Sequence, residues 1–152
     1  MFRTTMLAVA VAISVGASAA QAQGAAGVPQ VRVRYIVNDV PAAVAFYSGA
    51  LGFKLEGQAG PYFAVLTRGG VQLLLSPVTG PGGASQPMPD GRRPQPGGWN
   101  RLVLDTPDLQ GDVARLRKAG VHFRNEIVNG LGGKQVLIDD PSGNSVELFQ
   151  PG

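Results

Sequence analysis

The sequence predicts an α+β domain made of two copies of one module, in which a strand is followed by a helix and three more strands. Two observations predict this class: the order of strand and helix patterns in residues 31–78 returns in residues 100–150, and each helix pattern ends at a glycine. A third is the segment between the copies, residues 79–99, where six of 21 residues are glycine and five are proline. Residues 31–152 are therefore expected to form one domain with an irregular connector at its middle.

In the first module, apolar side chains alternate along residues 31–37, as they do in a strand with one face on a core. Asn38 and Asp39 offer a helix cap, and Pro41 suits the first helical turn. The apolar stripe that follows has helical spacing until Gly52. Three strand-like runs complete the module, at residues 53–57, 62–67 and 71–76.

The second module repeats this order. Residues 101–105 read as a strand, and the Thr-Pro-Asp sequence at 106–108 offers the cap of a helix whose apolar stripe ends at Gly120. Strands are expected at residues 121–126, 134–139 and 145–149. An Asp-Pro-Ser-Gly-Asn turn joins the last two, and Asp140 is expected to accept hydrogen bonds from the amides of that turn.

Composition excludes several kinds of chemistry. The 152 residues contain no cysteine and one histidine, so disulfides, thiolate metal sites and sites with two imidazoles from one chain are ruled out. The formal net charge of +3 is a small surplus, and no basic run exceeds two residues. Nucleic acid is therefore not expected as a partner.

Residues 1–22 are typical of a signal peptide. Arg3 supplies the positive start, residues 6–15 are apolar, and Ala20-Gln21-Ala22 is a small-residue cleavage site. The apolar stretch is shorter than the ~20 residues of a spanning helix, so cleavage without later stable membrane association is expected. Residues 23–30 read as a flexible lead-in, and the mature protein is expected to be secreted or periplasmic.

Particular sequence features of both modules resemble the vicinal oxygen chelate superfamily. They are Asp39 at the start of a helix that contains Ala-Phe-Tyr at 45–47, Leu-Gly-Phe at 51–53, Ala-Gly-Val at 119–121, and the run at 140–148. That superfamily includes glyoxalase I, extradiol dioxygenases, and fosfomycin- and bleomycin-resistance proteins. The resemblance implies a curved, half-open mixed-sheet cup with its helices on the convex side. It also implies a homodimer.

The resemblance further implies that metal ligands come from the first and last strands of each module. Those positions read Arg32, Leu74, Arg101 and Glu147 in this sequence. Guanidinium groups and leucine offer no lone pair to a cation, so only Glu147 could be a ligand. We therefore expect a degenerate metal site with no cofactor, and a divalent metal remains the alternative.

A cup with arginines at these positions is expected to bind a small organic molecule, with anions favoured because a guanidinium can bind a carboxylate or phosphate bidentately. The expected ligand-binding residues are Arg32, Arg34, Leu74, Trp99, Arg101, Glu147 and Phe149. The rival interpretation is a closed salt-bridge network of Arg32, Glu147 and Arg101.

Function is therefore open between three hypotheses. The first is an exported glyoxalase/bleomycin-resistance-like protein that binds its ligand without metal. The second is an enzyme, a glyoxalase-like lyase, isomerase or dioxygenase, with Glu147 as catalytic residue and a ligand set that is incomplete or shared with a partner subunit. The third is a vestigial cup with an interaction role.

Three further sets of residues have two interpretations each. Arg92 and Arg93 are either solvated charges or part of a lid that closes over an anionic ligand, since long connectors are often lids or linkers. His122 has no sequence neighbour to orient its imidazole, so a surface histidine is preferred to a general base. Tyr35 and Tyr47 are expected to pack in the helix-facing core rather than to act as proton donors.

Overall fold

The computed structural model describes residues 32–152. The predicted signal peptide at 1–22, the lead-in at 23–30 and the first residue of the predicted first strand lie outside the described residues. The first module contains, in chain order, strand β1 (Arg32–Val37), helix α1 (Val40–Gly49), strand β2 (Lys54–Ala59), strand β3 (Phe63–Arg68) and strand β4 (Val71–Pro77).

The connector contains one short 3-10 helix, Gly83–Ser85, and otherwise has no regular secondary structure. The second module repeats the first and contains strand β5 (Leu102–Asp105), helix α2 (Leu109–Lys118), strand β6 (Val128–Gly130), strand β7 (Gly133–Asp139) and strand β8 (Ser145–Pro151).

Both helices begin at the predicted caps. Asp39 Oδ1 accepts a hydrogen bond from the amide of Ala42 at 2.7 Å, and Asp108 Oδ1 accepts one from the amide of Gly111 at 2.9 Å. A Cβ atom at position 111 would overlap the Asp108 carboxylate, so any other residue there would make this capping side chain shift. The helix positions were predictable because capping is a local interaction.

The two modules form two four-stranded sheets with the same strand order. The order is β1-β4-β3-β2 in the first sheet and β5-β8-β7-β6 in the second. The first and last strands of each module pair in parallel, and the other pairs are antiparallel. The predicted class, an α+β fold of two βαβββ modules with mixed sheets, is confirmed.

The sixth strand lies elsewhere than predicted. Residues 121–126 form no strand; they contribute one isolated bridge, between Phe123 and Ile138, and the strand itself is β6. The cause is Asn125, whose side-chain oxygen accepts from the amide of Leu137 at 2.8 Å. A side chain here takes the place of a backbone acceptor, so the ladder is interrupted.

One apolar cluster joins both modules. It combines residues from α1, α2 and the helix-facing sides of both sheets, including the fully buried Tyr47, Leu66, Leu75, Leu116 and Ile138. Tyr35 also belongs to it, so the predicted packing roles of both tyrosines are confirmed. Neither α1 nor α2 has the length and apolarity of a membrane-spanning helix, and residues 32–152 contain no other α-helix.

Candidate functional site

Each sheet has a face that points away from the apolar cluster. In β1, Tyr35 and Val37 are buried in the cluster, so strand alternation puts Arg32 and Arg34 on the opposite side. The register pairs Arg34 with Leu74, which shares that side. We call the surface around Arg32, Arg34 and Leu74 the module-one face.

The two arginines of the module-one face have different surroundings. The guanidinium of Arg34 donates to Ser76 Oγ and lies 5.8 Å from the centroid of the Phe63 ring. The Arg32 side chain is exposed and forms no hydrogen bond or ion pair with any residue in 32–152. Within the described residues, the face therefore presents one guanidinium with side-chain partners and one without.

The corresponding face of the second sheet carries a charged pair. Arg101 Nε donates to Glu147 Oε2 at 2.7 Å, and Arg101 Nη1 donates to the carbonyl of Trp99 at 3.3 Å. The Glu147 side chain is 8% exposed and the Arg101 side chain 30%. We call the surface around Trp99, Arg101, Ser145, Glu147 and Phe149 the module-two face.

A buried hydroxyl lies on the same side of β8 as this pair. Ser145 alternates with Glu147 and Phe149, and its Oγ is buried without a hydrogen-bond partner among the described residues. The register sets Glu147 between Val103 of β5 and Leu137 of β7. Polar groups at this face are thus bordered by apolar side chains.

The predicted network of three charges does not close within one chain. Arg101 and Glu147 are paired, whereas no hydrogen bond or ion pair joins Arg32 or Arg34 to either of them across residues 32–152. The helix-facing sides of the two sheets share one cluster, and the module faces lie on the other sides. The described residues therefore show no direct polar contact between the two arginine sets.

A second charged set in module two was missed by sequence reasoning. His122 Nδ1 lies 2.8 Å from Asp139 Oδ2, and Arg124 Nε donates to Asp139 Oδ1 at 2.6 Å. The guanidinium of Arg124 also lies 5.5 Å from the centroid of the Trp99 ring. His122 is exposed as predicted, at 73% of its side chain, but a carboxylate does orient its imidazole.

The turn between β7 and β8 connects the two modules. Asp140 Oδ1 accepts from the amides of Ser142 and Asn144, as predicted for this turn. Asn144 Nδ2 donates to the carbonyl of Ile36 in module one, and its Oδ1 accepts from the amide of Gly97 in the connector. One side chain thus links three parts of the chain.

Two buried phenols complete this connection. The hydroxyl of Tyr47 donates to Asp140 Oδ2 at 3.1 Å, and burial, with the nearby Asp140 charge, raises the pKa of Tyr47 far above its ordinary value. The hydroxyl of Tyr35 accepts from the amide of Leu102 and donates to the carbonyl of Ser145. Burial also raises the pKa of Tyr35. Both phenols therefore act as hydrogen-bonding bridges.

The predicted lid arginines form no hydrogen bond or ion pair with the residues of either module face in the part of the chain that the structure describes. Arg92 Nε pairs with Asp90 Oδ2 at 2.6 Å, and both side chains are exposed. Arg93 lines an open pocket of about 410 Å³ with Asn38 and Val78. Neither contacts Arg101 or Glu147 through a hydrogen bond or ion pair. The end of the connector is fixed instead, by the bond from Gly97 to Asn144.

A polar cluster also joins α1 to α2. Arg115 donates from Nη1 to the carbonyl of Ala50 and from Nη2 to Asp112 Oδ1, while Thr106 donates to Asp112 Oδ2 at 2.6 Å. Burial raises the pKa of Asp112, but the hydrogen bonds from Thr106 and Arg115 outweigh it, and the net pKa is lowered from 3.8. This cluster has a structural role between the modules.

The residues at the expected metal positions do not fit a divalent cation. Arg32, Leu74 and Arg101 offer no lone pair, and Glu147 already accepts from Arg101. The part of the chain that the structure describes contains no group of three or more His, Cys, Asp or Glu side chains placed to hold a metal. The side chains of the module-two face provide a guanidinium, a carboxylate, a buried hydroxyl and an indole.

The family profile described as "Glyoxalase/Bleomycin resistance protein/Dioxygenase superfamily" matches residues 30–148. A comparison with curated proteins finds no significant match.

Solved structures give several matches to the fold. TnmS3, an antibiotic binding protein from Streptomyces sp. CB03234, is 28% identical with a TM-score of 0.62, and the match covers 84% of this chain and 99% of that protein. A superfamily member from Sphaerobacter thermophilus DSM 20745 is 26% identical with a TM-score of 0.63, covering 81% and 97%. A lactoylglutathione lyase from Agrobacterium tumefaciens, 22% identical with a TM-score of 0.63 and covering 80% and 92%, is similar in fold alone.

Proposed function

The chain belongs to the glyoxalase/bleomycin resistance protein/dioxygenase superfamily, and we propose that it is an exported binding protein that takes up a small organic molecule without a metal. Ligands with an anionic group are favoured. The observation that carries this proposal is the module-two face, where Arg101 and Glu147 lie beside Trp99 and the unpartnered hydroxyl of Ser145.

The chemistry of this face suits an oxygen-rich ligand. Arg101 uses Nε and Nη1 within the chain, so its Nη2 remains available to a carboxylate or phosphate oxygen of a ligand. The Trp99 side chain is 74% exposed and offers a ring for apolar contact. A few placed polar groups with apolar neighbours are typical of small-molecule sites.

The relatives support binding as the role. TnmS3 is described as an antibiotic binding protein, and another Streptomyces sp. CB03234 protein of 26% identity is described as a glyoxalase/bleomycin resistance protein. By analogy, this chain would bind a natural product or a metabolite of similar size. Residues 1–22 would direct export, so the ligand would be met outside the cytoplasm.

A homodimer is part of the proposal. No hydrogen bond or ion pair joins the module-one and module-two faces in the described residues, and in the proposed dimer the cup combines the module-one face of one chain with the module-two face of the other. In that dimer, Arg32 and Arg34 of one copy lie opposite Arg101 and Glu147 of the other. The two surplus guanidiniums then favour an anionic ligand between the copies.

The single tryptophan of the sequence makes a direct test possible. Trp99 is the only fluorophore of its kind, so a change in its emission reports on the module-two face. We expect saturable quenching with at least one member of a panel of aromatic antibiotics and organic acids. Arg101→Ala should weaken binding of an anionic hit about tenfold or more, as loss of a charge-assisted hydrogen bond predicts.

Arg92→Ala is the matched control, because it removes an exposed connector arginine whose ion-pair partner within residues 32–152 is Asp90. It should bind every hit as tightly as the wild-type protein. Equal weakening in both variants would show that the effect is one of net charge, and equal binding by Arg101→Ala would remove this residue from the site.

A further inference from the structure

A separate pocket lies between the two modules. It has a volume of about 440 Å³, and its lining includes Phe46 of α1, Val121, His122, Asp139 and Pro141. It contains none of the arginines of either module face, so it is distinct from the proposed cup.

The imidazole in this pocket is held in one orientation. His122 Nδ1 lies 2.8 Å from Asp139 Oδ2, and the other oxygen of that carboxylate accepts from Arg124 Nε at 2.6 Å. Because an ionised carboxylate can only accept, Nδ1 is the donor to Asp139, and in the neutral imidazole the lone pair is then on Nε2. In that tautomer, the exposed ring offers Nε2 as a hydrogen-bond acceptor to a ligand.

Backbone pairing fixes the same arrangement. The amide of Asp139 donates to the carbonyl of His122 at 3.0 Å, and the amide of Arg124 donates to the carbonyl of Leu137 at 2.9 Å. Arg124 Nη2 also donates to the carbonyl of Gly143 at 3.0 Å. A solvated surface histidine does not need these hydrogen bonds. A histidine that accepts a hydrogen bond from a ligand binds it more tightly when its ring is preorganised.

Asp140, the other charged group of the pocket, already has hydrogen-bond partners for both of its carboxylate oxygens. Asp140 Oδ1 accepts from the amides of Ser142 and Asn144, and its Oδ2 accepts from Tyr47. It therefore does not compete with a ligand for His122. The remaining walls, from Phe46, Val121 and Pro141, are apolar.

We propose that this pocket is a second binding site, for a small phenol whose ring contacts Phe46 and Pro141 and whose hydroxyl donates to Nε2 of His122. With an acidic phenol, the proton passes from the phenol oxygen to Nε2, and no other bond changes. The products are a phenolate and an imidazolium, and the Asp139 carboxylate stabilises the imidazolium. His122 is the proton acceptor, and Asp139 and Arg124 position it.

The probe is 4-nitrophenol, titrated with the mature chain at a fixed pH below the pKa of the phenol, where the phenolate has its own absorption band. The wild-type protein should increase this band saturably. His122→Phe should bind at least about tenfold more weakly, as loss of the hydrogen bond predicts. His122→Gln keeps an acceptor but takes no proton, so its complex should form without the phenolate band.

Asp139→Asn tests the positioning role. Nitrogen NMR should show His122 protonated at Nδ1 in the wild-type protein and as a mixture of tautomers in this variant, with weaker binding of 4-nitrophenol. Lys118→Ala, an exposed change outside the pocket, and Arg101→Ala, a change in the proposed cup, should both leave this titration unchanged.

The proposal is overturned if the wild-type protein gives no saturable change, or if His122→Phe titrates like the wild-type protein. Loss of binding in Arg101→Ala would also overturn it, because the probe would then occupy the cup. Failure of the cup proposal leaves this result untouched, since the two sites share no residue.

Discussion

Arg101 Nε donates to Glu147 Oε2 across 2.7 Å and so ties the segment just before the first strand of module two to its last strand. The Glu147 side chain is nearly buried, whereas the Arg101 side chain is 30% exposed. The two partners of such a pair differ in what their removal costs. Removal of the Arg101 cation leaves the Glu147 carboxylate charged with little access to water.

Arg101→Ala should therefore destabilise the fold by about 1–2 kcal/mol, below the full value for a buried pair because solvent screens the exposed guanidinium. Glu147→Gln should cost less, since it leaves no buried charge. Urea denaturation of both variants and of the double variant measures the coupling. Additive effects would mean that the pair contributes nothing to stability.

The two buried tyrosines should differ in what their hydroxyls contribute. Tyr47→Phe removes one hydrogen bond to Asp140, which keeps its turn amides, and should cost about 1–2 kcal/mol. Tyr35→Phe leaves the buried amide of Leu102 without a partner and should cost about 2–3 kcal/mol. Chemical denaturation gives both values, and the reverse order would contradict this account of the bridges.

Asn144→Ala should loosen both the connector and the contact between modules. It removes the acceptor for Gly97 and the donor to Ile36, two links that no neighbouring side chain replaces. We expect faster hydrogen exchange at Gly97 together with a loss of about 2–3 kcal/mol in stability. Ser142→Ala, which loses one exposed bond to the amide of Asn38, is the control and should change exchange at Gly97 little.

Acid should weaken the cluster between α1 and α2. The pKa of Asp112 is lowered from 3.8 in the folded state, so its contribution is present at pH values above the unfolded value and is lost as the pH falls through the folded one. The stability difference between wild type and Asp112→Asn should shrink over that range. Urea denaturation at several pH values checks this. A stability difference that stays constant with pH would show that the Asp112 carboxylate does not contribute to stability through its charge.

Complementation tests the proposed dimer. One variant carries Arg32→Ala and Arg34→Ala, the other Arg101→Ala, and the two are co-expressed with different tags. If a cup combines the faces of two copies, the heterodimer keeps one intact cup and binds half the ligand of the wild-type dimer. A heterodimer without binding would place each cup within a single chain, and a monomeric wild type would exclude the dimer.

Sequence reasoning succeeded where an interaction is local or periodic. The caps at Asp39 and Asp108 and the alternation along β1 follow from short-range rules. The predicted strand at 121–126 was wrong because the side-chain oxygen of Asn125 accepts the hydrogen bond from the amide of Leu137 in β7. That hydrogen bond depends on how the segment lies beside β7, which residue types alone do not specify.

The site was harder to predict for the same reason. His122 and Asp139 are 17 residues apart in the sequence, and they meet next to the isolated bridge between Phe123 and Ile138. The predicted strand at 121–126 did not specify this bridge. Strand pairing would have been the signal, because Phe123 pairs with Ile138 of β7 and so sets His122 beside Asp139. Whether Arg32 pairs with Glu147 depends on how the two sheets pack, which a strand pattern does not specify; in residues 32–152 the partner of Glu147 is Arg101.

The most direct test of the central claim is ligand binding by metal-free protein. Protein comprising residues 23–152 is treated with a strong chelator, and the best anionic hit is titrated by Trp99 fluorescence, with and without added Mg²⁺, Mn²⁺ or Zn²⁺. A binding site built from Arg101 and its neighbours gives the same dissociation constant in every case. Binding that is lost in chelator, restored by one cation and abolished again by Glu147→Ala would contradict the account.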